Sequence, residues 1–84
     1  MKYTTLKSIK EELESYGIKV KKVNKNRELF GESKWLDFLV EKSDTGFILT
    51  MRDRYFESDA LWPHLTGYDV KKKIIEFVNS YNNI

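Results

Sequence analysis

Leu6, Ile9, Leu13 and Tyr16 recur at helical spacing and fall within about 80° of one another at 100° per residue. Lys7, Ser8, Glu11 and Ser15 take the opposite side. Thr4 or Thr5 offers a capping hydroxyl at the start, and Gly17 a left-handed stop. The pattern predicts an amphipathic helix. Ile18 and Val20 then alternate with Lys19 and Lys21, as in a strand with one wet face. The phase slips at Lys22 and Val23, which marks an end or a bulge. Asn24 to Asn26 reads as a turn, and Arg27 to Phe30 as a short strand before Gly31.

The clearest strands follow, at 35–42 and 46–52. Leu36, Phe38 and Val40 share one face, with Trp35, Asp37, Leu39 and Glu41 on the other. Ser43-Asp44-Thr45-Gly46 closes the hairpin, after which Phe47, Leu49 and Met51 resume the alternation. The wet face keeps Trp35, Leu39 and Ile48, more apolar surface than solvation needs. A second helix starts near Thr66 to Tyr68, where Thr66 and Asp69 stand at the spacing of a capping box. Val70, Ile74, Phe77, Val78 and Tyr81 cover an arc of about 100° on it.

These elements specify an α+β fold in the order α-β-β-β-α, a single domain over residues 1–84. An antiparallel sheet of three to four strands is expected to carry both helices on one face, where they share its apolar surface. Leu13, Phe38, Leu49, Ile74 and Phe77 are the expected core.

Residues 52–67 fit neither period. A connector of that length in a compact domain is usually functional, and its aromatic content argues against disorder. It holds Arg52, Arg54, Tyr55, Phe56, Trp62 and His64, and the chain's one proline, Pro63. Arginine and aromatic residues are the types enriched at protein-binding hot spots, so these six form the candidate partner-binding set. The competing role for Phe56 and Trp62 is to plug the end of a small core.

The chain has no cysteine, which removes disulfides and thiolate metal sites. It has one histidine, with no nucleophile or orienting group in view, and no glycine-rich phosphate loop. No catalytic residue, cofactor or metal is therefore expected. Asp53, Glu57, Asp59 and His64 match no calcium-loop spacing. Glu32-Ser33-Lys34 fits a nuclease fragment too short to carry weight. No basic-then-apolar leader and no apolar run of membrane-spanning length occur, so a cytoplasmic protein without membrane contact is expected.

The net charge of +2 conceals a division. Residues 1–27 carry eight bases and three acids, residues 28–69 four bases and nine acids, and residues 70–84 three bases and one acid. Lys19, Lys21, Lys22, Lys25 and Arg27, with Lys72 on the second helix, therefore form an alternative, nucleic-acid-binding set. The order helix, three strands, helix, with lysines opening the last helix, is similar in layout, and in layout alone, to the double-stranded-RNA-binding domain. Gly67 stands alone where that domain has a glycine-rich approach, and the 52–67 stretch has no counterpart there.

Twelve lysines against three arginines fit an AT-rich coding genome. Size and composition together suggest a small non-enzymatic module that binds a protein partner. Phage and mobile-element accessory proteins, including inhibitors of host systems, are commonly built this way. A homodimer through the sheet face bearing Trp35, Leu39 and Ile48 competes within that class.

Overall fold

The computed structural model describes residues 5–24 and 27–82. Its elements are α1 (Leu6–Ser15), β1 (Lys19–Asn24), β2 (Glu28–Glu32), β3 (Leu36–Ser43), β4 (Gly46–Asp53), β5 (Ser58–Leu65) and α2 (Gly67–Asn82). The strands form one antiparallel meander, β1-β2-β3-β4-β5. The fold is α+β as the sequence specifies, but the sheet has five strands rather than three or four. The difference lies in residues 52–67. β4 runs on to Asp53, a turn follows at 54–57, and 58–65 returns as a fifth strand beside β4. Proline cannot donate to a strand ladder, and Pro63 is tolerated because β5 lies at the sheet edge. The β4–β5 register slips between Phe47 and Leu49, close to that proline.

Local chemistry sets the helix ends. The Thr5 hydroxyl accepts from the Ser8 amide, and the Ser8 hydroxyl accepts from the Thr5 amide, each at 3.1 Å, so a capping box opens α1. Gly17 at φ +80° turns the chain out of the helix. Tyr16 is already outside helical geometry and is 61% exposed, so the buried stripe of α1 stops at Leu13. At α2, the Thr66 hydroxyl accepts from the Asp69 amide at 3.1 Å. The expected phase slip in β1 is a bulge between Val20 and Lys22.

α1 packs on β1 and β2, α2 on β3, β4 and β5, and the helices touch each other. The core between them and the sheet includes Leu6, Ile9, Leu13, Leu29, Phe38, Val40, Leu49, Val70 and Ile74. Gly31 lies opposite Phe38 in the register, and the Phe38 ring fills the space where a Cβ would sit, so the glycine is a packing requirement. No helix among the described residues is long and apolar enough to cross a membrane.

Phe77 departs from expectation. It is only partly buried and lies against Trp62 with ring centroids 5.6 Å apart, at the rim of the core. Ile74, one turn earlier, is fully buried. Truncating Ile74 to alanine should therefore cost about 3 kcal/mol, and Phe77 to alanine about 2, despite phenylalanine's greater size. Urea unfolding followed by circular dichroism measures both. A larger loss at Phe77 would mean that α2 turns Phe77 rather than Ile74 into the core.

Candidate functional site

A strand presents alternate residues to opposite faces, so burying Leu36, Phe38, Val40, Leu49 and Met51 under the helices sends their neighbours to the other side. Register then aligns these neighbours across the strands. One row reads Lys22, Phe30, Leu39, Thr50, Leu61, from β1 to β5. The next reads Lys19, Glu32, Asp37, Arg52, Asp59. On the other flank stand Asn24, Glu28, Glu41 and Ile48. Both helices lie on the opposite side, so no helix among the described residues covers these rows. Phe30 is 37% and Leu61 61% exposed, and Leu39, Ile48 and Thr50 are half-buried. A concave groove of about 500 Å³ runs between Phe30, Leu39, Thr50, Arg52, Asp59 and Leu61.

An aromatic cluster occupies the β4–β5 turn. Tyr55 meets Trp35 edge-on at 5.1 Å and Phe56 edge-on at 4.7 Å, and Lys34 Nζ lies 5.7 Å from the centre of the Trp35 ring. Tyr55 is 50% and Phe56 64% exposed. Asp53 builds this turn. Its Oδ1 accepts from the backbone amides of Tyr55 (2.8 Å) and Phe56 (2.9 Å), and its Oδ2 accepts from the Tyr81 hydroxyl near the end of α2. With that support Glu57 sits at φ +55°, a conformation uncommon outside glycine. Arg54 ties the turn sideways. Its Nη2 donates to the carbonyls of Ser33 (2.5 Å) and Lys34 (2.9 Å), and its Nε lies 3.6 Å from Asp37.

The six expected partner-binding residues thus divide. Arg52 is on the open face, and Tyr55 and Phe56 project from the turn. Arg54 is committed to holding the turn between β2 and β3. Trp62 faces the helices, packed on Phe77 with Lys73 Nζ 5.1 Å from its ring centre. His64 lies at the far end of β5, its Nδ1 3.3 Å from Thr45 Oγ1. Trp35 lies in the bend before β3, half-buried against Tyr55, whereas Leu39 and Ile48 belong to the open face, as the alternation indicates. Phe30 and Leu61 join them through cross-strand register, and Leu61 also through the alternation of Asp59 and Leu61 with Ala60 and Trp62.

The alternative lysine set is dispersed. Lys21 pairs with Glu32 at 3.2 Å on the β1 edge, whereas Lys72 lies on α2, in the helix layer over β3 to β5. Its neighbour Lys71 is paired with Glu12 at 2.5 Å. Arg27 stands in the turn before β2, and Lys25 is outside the described residues. No three His, Asp or Glu side chains gather within metal-ligand range among the described residues. No family model, curated protein or solved structure matches the chain.

Burial pushes the Asp53 carboxyl up, but hydrogen bonds from Tyr81, Phe56 and Tyr55 outweigh it and leave the pKa below its ordinary value. The bond to Asp53 and burial both raise that of Tyr81. A lowered carboxyl pKa contributes stability above the unfolded value that is lost as pH falls through the folded one. A raised phenol pKa contributes stability below the unfolded value that is lost as pH rises through the folded one. The contribution of this pair should be flat from about pH 4 to about pH 10 and fall outside that window. Tyr81→Phe should remove its share of the alkaline fall and shrink the acid one, read as urea midpoints across pH. Midpoints whose pH profile is unchanged by Tyr81→Phe would show that the bond contributes nothing.

Proposed function

We propose that this chain is a small protein-binding module that acts by docking rather than by catalysis, through the open sheet face and the adjoining Tyr55–Phe56 turn. The observation that carries this reading is the uncovered row Phe30, Leu39, Leu61, set in a groove of about 500 Å³. Apolar side chains on three of four adjacent strands, with no helix over them among the described residues, favour removal from water by a partner. Tyr55 and Phe56 at the neighbouring turn add rigid aromatic anchors of the kind that dominate binding energy. Arg54 and Asp53 supply the rigidity, because ordering the turn in advance lowers the entropy lost on association.

The experiment is affinity capture from the native host with the parent protein and two double variants. Leu39→Asp with Leu61→Asp should stay folded and lose the partner, as should Tyr55→Ala with Phe56→Ala. Losses of about 2 kcal/mol or more in binding are expected at such anchors. Lys72→Glu, on the far side of the molecule, should retain it. Partner retention by both double variants would overturn the reading. So would steeply salt-dependent binding to duplex or single-stranded nucleic acid that is lost with Lys19→Glu and Lys21→Glu.

A further inference from the structure

Resting on that docking surface, we infer that its occupant is an amphipathic helix whose apolar stripe is flanked by lysine or arginine, laid across the strands with its C-terminus toward β1. Shape is the first argument. Phe30, Leu39 and Leu61 lie on one cross-strand row, and three inter-strand spacings separate β2 from β5, about 14 Å. Residues i, i+4, i+7 and i+11 of a helix span about 16 Å on one side, so a three-turn stripe covers the row. A sheet face offers side chains and no backbone partners. An extended segment laid there would leave its own amides and carbonyls without protein partners, whereas a helix satisfies its backbone internally.

Charge is the second argument. Glu28 and Glu41 border the row on one side, and Glu32, Asp37 and Asp59 on the other. Glu28, Glu41 and Asp59 form no ion pair among the described residues. Glu32 and Asp37 are paired with Lys21 and Arg54, so from β2 to β5 the flanking rows leave Glu28, Glu41 and Asp59 as unpaired acids beside the base Arg52. A ligand with an apolar centre and cationic margins meets apolar groups with apolar and acids with bases. A second copy of this face would set acidic margin against acidic margin, and like-charge juxtaposition disfavours it.

The row's ends supply the polarity. Lys19 and Lys22 lie at the β1 end and Asp59 at the β5 end. The partial negative charge of a helix C-terminus suits the lysines, and the positive N-terminus suits the aspartate.

The test is an NMR titration of the full chain with two synthetic peptides of about 16 residues, both alanine-based with one leucine stripe. One peptide carries lysines beside the stripe and the other glutamates. The lysine peptide should shift the amides of Leu39, Thr50 and Leu61, and the glutamate peptide should bind about tenfold more weakly. Glu41→Lys with Asp59→Lys should reverse that order. A spin label at the lysine peptide's C-terminus should broaden Lys22 and spare Asp59. Equal binding of both peptides to this face would overturn the cationic margin and leave the docking surface standing. Broadening at Asp59 instead of Lys22 would overturn the orientation. Failure of both peptides to shift the open face, with a captured partner still dependent on Leu39 and Leu61, would overturn the helical occupant alone. Concentration-dependent shifts of the same amides without peptide would assign the face to a second copy.

Discussion

Two helices of ten and sixteen residues lie over a sheet five strands wide, and they can cover only one of its faces. Each needs an apolar surface for its own stripe, and the alternation in β3 and β4 supplies it on one side alone. Once that side is closed, strand geometry dictates what the other displays. The same residues that make Phe38 and Leu49 core make Leu39 and Thr50 surface. The open face is thus the complement of the core, and its aligned row follows from a meander whose register carries Phe30, Leu39, Thr50 and Leu61 into line.

Asp53 joins the fold to its surface. It occupies a core-side position at the end of β4, where an apolar residue would continue the pattern, and it is buried. Its carboxylate is satisfied by two turn amides and the Tyr81 hydroxyl. A buried charge is tolerable only when so partnered. The consequence is a β4–β5 turn fixed to the end of α2, with Arg54 fixing it again to the stretch between β2 and β3. Tyr55 and Phe56 are exposed on a backbone held from two directions.

Much of this was legible in the sequence and some was not, for definable reasons. α1, α2 and the β3–β4 hairpin each bury one side, so their periodicity is written into Leu6–Ile9–Leu13, Val70–Ile74–Val78 and Leu36–Phe38–Val40. The phase slip at Lys22–Val23 marked a real bulge. β5 was hidden because an edge strand buries little. Its residues are exposed except for Trp62 and Leu65, which are partly buried, and Pro63 interrupts the reading. Losing β5 also lost Leu61 from the open face. The aromatic content of 52–67 singled out a stretch that the structure divides between a turn and an edge strand, but composition could not say that Trp62 turns inward while Tyr55 turns outward. That is a matter of register, and register belongs to the folded sheet. The excess apolar surface at Leu39 and Ile48 was the sequence signal for the open face, while Trp35, read with them, belongs to the bend beside Tyr55.

An open face of partly solvated leucines, opposite a closed core of the same residue type, gives a direct measurement. Methyl NMR signals of leucine recorded with a soluble gadolinium chelate report how closely solvent approaches each side chain. The Leu61 methyls should be strongly attenuated and those of Leu39 intermediate, while those of Leu29 and Leu49 in the core should be barely affected. Leu39 and Leu61 methyls as protected as those of Leu49 would contradict an uncovered sheet face, and with it the surface on which the proposed docking depends.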